Sequence, residues 1–306
     1  MKSVTALIVT FNRLTLLKES LKAVMAQERP VDHILVIDNH SSDDTLRYLK
    51  GIKDERLIVR ELAHNTGGAG GFYEGVRYFQ EMMNDDYIWI MDDDTIPAPD
   101  CLSKLQHFWE HTAQFGFLAS NVRWIDGSPA VMNIPVIESS NWNSSVQKSD
   151  EKLYPVLKSA SFVSILVPRV VIREVGFPIK EFFIWGDDVE YTERISKEFA
   201  SYFISQSIVT HKIKTNAGVN IVTENGDRIN RYFYDIRNRT FRAKQAKGGA
   251  SLRLYERILA DFLKVLVKRH MAFRGKKIRI IIKGFVYGLF FNPEILFQRG
   301  VKDGNN

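Results

Sequence analysis

Short apolar runs and helical stretches alternate along the first hundred residues, and this alternation limits the folds open to the chain more than any other feature. "VTALIV" (4–9), "HILVID" (33–38), "RLIVRE" (56–61) and "DYIWIM" (86–91) are brief and rich in β-branched or aromatic residues, so they read as strands. Between them lie "TLLKESLKAVMAQ" (15–27), with Leu17, Leu21, Val24 and Met25 at helical spacing, then "SDDTLRYLKGI" (42–52) and "GGFYEGVRYFQEMM" (70–83). A β-α-β-α series predicts a mostly parallel sheet with helices on both faces. Such sheets place ligands outside the carboxyl ends of their strands. The polar segments "TFNR", "DNHSSDDT", "HNTGGAGGF" and "DDDT" each follow a strand and are expected on that one rim.

Further along, "IDGSPAVMNIPVIESSNWNSSVQKSDEK" (125–152) is rich in Ser, Asn and Pro and reads as a long loop over the site. Residues 159–176 read as strand then helix, 182–199 as an apolar, then acidic, then helical stretch, and 201–212 as a strand. The sequence divides into a body, 1–226, and a basic amphipathic helical appendage, 227–306. Residues 228–306 carry 19 Lys and Arg against 5 Asp and Glu, whereas residues 1–227 carry 23 against 31. In 251–277, Leu252, Ile258, Leu259, Phe262, Leu263 and Leu266 form one apolar face ringed by cations. That pattern suits packing on the body or on another subunit, as in a homo-oligomer, or an anionic membrane surface. Nucleic acid is not the expected partner, because the acidic rim repels a phosphate backbone. The single cysteine, Cys101, excludes an intramolecular disulfide and a cysteine-based zinc cluster. The apolar run near the N-terminus is short and reads as a core strand, and no stretch of about 20 apolar residues predicts a membrane-spanning helix.

Chemistry concentrates in four places. In "WIMDDDTIPAPD" (89–100), residues i and i+2 of an extended strand share a side, so Asp92 and Asp94 converge while Asp93 faces elsewhere. Two converging carboxylates suit Mg²⁺ or Mn²⁺, and a divalent cation is the expected partner that makes the crowding tolerable. "HNTGGAGGF" (64–72) packs glycines before a helix, where backbone approaches an anionic ligand closely. It is neither a dinucleotide fingerprint nor a Walker loop. Asp38 in "VIDNHSSDDT" ends a strand and either accepts hydrogen bonds from a base or ribose, or belongs to a helix start capped by Ser41 or Ser42. "WGDDVEY" (185–191) crowds Asp187 and Asp188, which suits a general base or the acidic first turn of a helix. His211 closes the strand after it and is a ligand candidate through its place on the rim.

Taken in order, "VTFNR", "VIDNHSSDDT", "NTGGAGGF", "MDDDT", "VGFPIKEFFIWGDDVEYTERI" and "VTHK" resemble glycosyltransferase family 2, inverting enzymes of the GT-A fold that use nucleotide-sugar donors. The resemblance covers about residues 3–215. It implies that Thr10, Phe11, Asn12 and Asp38 hold the nucleoside, and that Asn65, Gly67, Gly68, Gly70 and Gly71 line the donor site with Asp92 and Asp93. It implies a Mn²⁺ or Mg²⁺ ion held by Asp92, Asp94 and His211, Asp188 beside Asp187 as catalytic base, and Trp185 against the acceptor sugar. The glycine-rich, triple-aspartate and WGDDVEY motifs are most similar to bacterial galactofuranosyltransferases, with dTDP-rhamnose transferases as relatives. "RYFYDIRNRTF" (231–241) is similar to a stretch in both groups. The implied acceptor is a lipid-linked glycan met at the cytoplasmic face of the cell membrane. The alternatives are a rhamnosyltransferase using dTDP-rhamnose or, of a different class, a non-catalytic nucleotide-sugar or nucleic-acid binding protein.

Overall fold

The computed structural model describes residues 2–138, 146–149, 152–246 and 248–298, with backbone alone for 146–149 and 152. Its first half follows the expected series: β1 (Val4–Thr10), α1 (Leu14–Met25), β2 (His33–Asp38), α2 (Thr45–Gly51), β3 (Leu57–Glu61), α3 (Gly67–Met82) and β4 (Tyr87–Asp92). Strands β1, β2, β3 and β4 pair in parallel. Side chains alternate between two cores. Val4, Ala6 and Ile8 join Leu17 and Leu21 of α1, whereas Leu7 and Val9 join Phe72, Val76 and Phe79 of α3. Burial on both faces explains why these strands are continuous apolar runs instead of alternating ones.

The chain continues through β5 (Thr95–Pro97), α4 (Cys101–Glu110), β6 (Leu118–Arg123), β7 (Val136–Ile137), β8 (Val146–Ser149), β9 (Lys152–Ser159), β10 (Ile165–Pro168), α5 (Arg169–Val175), α6 (Asp187–Glu198) and β11 (Ser201–His211). The sheet order is β3-β2-β1-β4-β10-β6-β11-β9-β7, with β5 on β11 and β8 on β9. Beyond β4 the sheet is mixed, because β10 runs antiparallel to both β4 and β6. The expected loop at 125–152 is corrected: residues 131–133 form a 3-10 turn, and 136–137 and 146–149 pair with β9. Val136 and Ile137 pair with Ser159 and Leu157, farther along the chain, whereas β8 pairs with the strand that directly follows it; the polar Ser- and Asn-rich composition conceals both. The part of that loop expected at 139–145 lies outside the described residues.

Two compact units emerge. One holds residues up to Lys180, Asp188–Ala217 and the described residues from Ile295; the other holds Glu181–Asp187 and Gly218–Glu294. The division falls at 217/218 where the sequence suggested 226/227, and it assigns the seven residues before Asp188 to the second unit.

Within the second unit, α7 (Tyr232–Gln245), α8 (Gly249–Val267) and α9 (Arg274–Phe290) pack together. The glycines that interrupt the apolar stretch 278–298 serve this packing. A Cβ on Gly284 would lie 2.8 Å from Ile236 Cβ, and one on Gly288 2.4 Å from Thr240 Cβ, so α9 approaches α7 backbone to backbone. The apolar face expected on α8 is mostly uncovered: Ile258 and Val265 are buried, but Leu252, Leu259, Leu263 and Leu266 are exposed. No helix among the described residues is long and apolar enough to cross a membrane.

Candidate functional site

Parallel register assembles the rim. Thr10 pairs with Asp38 and Val9 with Asp92, so the ends of β1, β2 and β4 stand side by side. The strand order turns back between β1 and β4, the point where α/β sheets open a crevice. The expected strand alternation is corrected here: β4 ends at Asp92, and Asp93 and Asp94 lie in the turn before β5. Asp93 turns inward, accepting hydrogen bonds from Thr10 Oγ1 at 2.8 Å and Arg13 Nη1 at 3.3 Å. Asp94 Oδ2 takes the same Arg13 nitrogen at 2.7 Å. Arg13 was not anticipated from the sequence; it supplies one protein-borne positive charge for the crowded carboxylates.

Asp92, Asp94 and His211 offer ligand atoms that all lie within 4.8 Å of one another. His211 reaches Asp94 because the end of β11 pairs with β5, placing His211 opposite Thr95. Its Nδ1 lies 2.8 Å from Asn133 Oδ1, an acceptor that puts the proton on Nδ1 and turns Nε2 toward Asp94 Oδ1, 3.0 Å away. Asp94 Oδ1 is buried and completes no aligned hydrogen bond there. Two facing acceptor atoms need a proton or a cation between them. Two carboxylates and an imidazole therefore fit a divalent cation, and the nitrogen ligand suits Mn²⁺ better than Mg²⁺.

The electrostatics agree with that fit. Burial pushes the Asp92 carboxyl up to about 7, with the charge of Asp94 adding to it. Burial also raises Asp93, to about 6, against the restraint of Arg13. Asp94 is buried too, but contact with His211 and the charge of Arg13 overcome burial and hold it below the usual carboxylate range. Burial would lower His211, yet Asp94 and Asp92 prevail and raise it.

Beside this centre, side-chain hydrogen bonds tie the loops after β1, β2 and β3. Asn12, in the left-handed region at φ 53°, accepts from Ser42 N at 2.7 Å and donates its own N–H to Ser41 Oγ at 3.0 Å. Asp38 is buried, and its Oδ1 accepts from Ser41 N at 3.2 Å. Neither Ser41 nor Ser42 caps α2; Asp43 Oδ1 takes Thr45 N–H instead. Phe11 is 40% exposed and open to a ligand. Asn39, another residue not singled out from sequence, donates to Asn65 Oδ1 at 3.2 Å and Gly67 O at 2.8 Å and accepts from Thr66 N at 2.9 Å. The glycine run lies inside the start of α3, not in a loop before it. A Cβ on Gly71 would sit 2.4 Å from Val9 Cγ1 and one on Gly70 2.4 Å from Thr66, so both serve packing, while Gly68 faces open space.

Asp187 and Asp188 open α6, where an acidic first turn complements the helix dipole. Asp187 is buried; Asp188 Oδ1 accepts from Val189 N at 2.7 Å. The backbone carbonyl of Asp188 receives Thr192 Oγ1 at 2.7 Å, and that hydroxyl also reaches Ala160 O, fixing the helix start on β9's end. Trp185 belongs to the second unit and packs on Tyr232, ring centroids 5.1 Å apart.

Comparison with known proteins bears on family and fold. The model of Glycosyl transferase family 2 matches residues 5–160, just over half the chain. Galactofuranosyltransferase GlfT1 of Mycolicibacterium smegmatis is 28% identical over 257 residues, spanning 79% of this chain and 83% of that protein. A poly-beta-1,6-N-acetyl-D-glucosamine synthase of Staphylococcus aureus is 24% identical over 178 residues, which cover 58% of this chain and 42% of its relative. Among solved structures, the mannosyltransferase PcManGT from Pyrobaculum calidifontis, in complex with GDP-Man and Mn²⁺, aligns with a TM-score of 0.55 and 16% identity over 95% of this chain and 76% of its own. S. aureus TarS 1-349 in complex with UDP gives 0.53 and 14%, covering 95% of this chain and 72% of that one. These likenesses show a GT-A fold.

Proposed function

The chain belongs to glycosyltransferase family 2 and is a glycosyltransferase using a nucleotide-sugar donor; from that premise we propose that it transfers galactofuranose from UDP-galactofuranose to a lipid-linked glycan. The Asp92–Asp94–His211 cluster on the rim carries the reading, since a diphosphate leaving group needs a dication there. The similarity to GlfT1 over most of both chains supports the sugar.

In this reading Phe11, which is open, and the buried Asp38 receive the nucleoside, with Thr10 and Asn12 shaping the pocket through Asp93 and the loop after β2. Gly68 and Asn65 at the start of α3 border the donor, while Gly71 lets that helix start sit close to Val9 of β1, Gly70 leaves room for Thr66, and Gly67 takes a left-handed φ of 73°. Asp92, Asp94 and His211 would hold Mn²⁺ or Mg²⁺, which supplies charge neutralisation on the departing diphosphate. Trp185 flanks the acceptor. Asp188 takes the proton of an acceptor hydroxyl while its oxygen attacks the anomeric carbon from the face opposite the leaving group. The bond from that carbon to the diphosphate oxygen breaks, UDP departs, and the configuration inverts. Arg13, half-exposed beside Asp93 and Asp94, neutralises these carboxylates before donor binding.

The uncovered leucines of α8, set among Lys and Arg, support contact with an anionic membrane at its cytoplasmic face, where a lipid-linked acceptor would be met. Thermal unfolding with a panel of nucleotide sugars, each with and without Mn²⁺, tests the donor. UDP-galactofuranose with Mn²⁺ is expected to protect most. Stronger protection by dTDP-rhamnose, or protection independent of metal, overturns the donor or the metal assignment respectively.

A further inference from the structure

The segment leading to Asp187 has a backbone that most side chains avoid. Phe183 and Trp185 lie in the left-handed region at φ 63° and 65°, followed by Gly186 at 87°. Glycine adopts this conformation freely, but for Phe and Trp it is unfavourable and persists only where surrounding groups enforce it. The enforcement comes from α7, in the same compact unit. Asn238, 1% exposed, donates from Nδ2 to three carbonyls: Phe182 at 3.1 Å, Ile184 at 3.2 Å and Trp185 at 2.8 Å. Arg237 donates from Nη2 to the carbonyls of Glu181 at 2.6 Å and Phe182 at 3.1 Å. The same nitrogen reaches Asn238 Oδ1 at 2.9 Å and so fixes the orientation of the amide.

We infer that Arg237 and Asn238 are positioning residues for acceptor binding: they clamp the carbonyls of 181–185 so that the left-handed turn presents Trp185 to the acceptor sugar. This rests on the proposed function, in which Trp185 meets the acceptor. A segment that merely connected two elements would be satisfied in extended form, with no buried amide devoted to its carbonyls. Here the aromatic side chains are braced as well. Phe183 stacks on Tyr234 at 4.7 Å, and Trp185 lies against Tyr232 at 5.1 Å. An indole fixed in this way offers a rigid apolar face to the C–H surface of a sugar ring, with little mobility left to lose on binding. The stretch 231–241, read in the sequence as a family-like segment without a role, thereby acquires one.

The test uses the full chain with Asn238→Ala and, as the milder change, Arg237→Lys. Three quantities are measured: hydrogen exchange of the amides at 183–187, UDP affinity with Mn²⁺ by calorimetry, and KM and kcat for transfer to octyl galactofuranoside. Asn238→Ala is expected to speed exchange of that segment and to raise acceptor KM on the order of 10-fold or more, with UDP affinity unchanged. Arg237→Lys follows in the same direction with a smaller effect, and it decides the matter should Asn238→Ala not fold. Unchanged exchange, unchanged acceptor KM, or a parallel loss of UDP affinity overturns the inference. A wild-type chain that neither binds UDP nor transfers sugar refutes the function reading and the acceptor role with it; the exchange measurement still shows separately whether the clamp holds the turn.

Discussion

The two compact units handle apolar and charged side chains in opposite ways. In the sheet unit the apolar residues are buried on both faces, and the carboxylates gather at one rim where Arg13 and His211 face them. In the helical unit Leu252, Leu259, Leu263 and Leu266 stay exposed among an excess of cations. A closed core with a concentrated charged centre is what chemistry on a small donor requires. An open apolar face with scattered positive charge is what adhesion to an extended anionic surface requires. The contrast fits the proposal that donor chemistry belongs to one unit and attachment to the other, and each half of that proposal can be broken.

The largest effect is expected at Asp188. Asp188→Asn should lower kcat by about 10²–10⁴-fold while UDP still binds, as single-turnover and calorimetric measurements on one preparation will show; a variant that stays active moves the base elsewhere. Next, the Asp92→Ala/Asp94→Ala double change should abolish the dependence of UDP binding on Mn²⁺, whereas retained dependence breaks the metal assignment.

The same centre gives a pH signature. Asp92 and Asp93 keep protons in the folded chain up to about 7 and about 6, above the ordinary 3.8 that the unfolded chain shows. Over that window the folded state binds more protons, so the stability of the metal-free protein should fall as pH rises from about 4 to 7. Raised His211 acts in the same sense, its contribution being lost as pH climbs through its elevated value. Mn²⁺ should flatten the decline, because it replaces the protons. Thermal scans across pH in chelator and in Mn²⁺ check both slopes, and a stability that rises over the window contradicts the assignment.

On the other side of the comparison, Leu259→Ser/Leu263→Ser should weaken binding to anionic vesicles by about 10-fold, from the lost apolar contact, and leave UDP affinity alone. Equal binding with a change in oligomeric state would instead assign that face to a second copy of the chain. The smallest effect belongs to Gly288→Ala, which forces α9 off Thr240 and should cost about 1–3 kcal/mol, read as a drop of a few degrees in the melting of the helical unit. An unchanged melting profile would mean that the helices slide apart freely.

Much of the sheet unit was legible in the sequence. Apolar runs of strand length, separated by helical spacing and followed by polar turns, located β1 to β4 and their shared rim; Asp92 and Asp94 do come together with His211, but through a turn after β4 instead of the strand period. Partners brought together by tertiary structure were not legible. Arg13 stands in a motif that was noticed, but only the adjacency of β1 and β4 makes it meet residues some 80 positions away. Asn133 sat in a stretch read as loop, and Asn39 among turn residues that all resemble one another. The family resemblance implies that Gly70 and Gly71 line the donor site, but a one-dimensional motif cannot distinguish a glycine that admits a ligand from one that admits Val9 or Thr66. Asn238 belonged to a recognisable stretch, yet nothing in one dimension connects an amide on α7 with carbonyls more than fifty positions earlier.

The pairing of β5 with the end of β11 has a temporal consequence. Asp94 and His211 become neighbours only when β11, made later in synthesis, docks beside β5, so the cluster depends on a contact long in sequence. A nascent or partly unfolded chain has the aspartates but not the imidazole that completes the cluster. Such a chain would be poor at capturing a dication or consuming activated sugar, and competence for the reaction would coincide with completion of the fold.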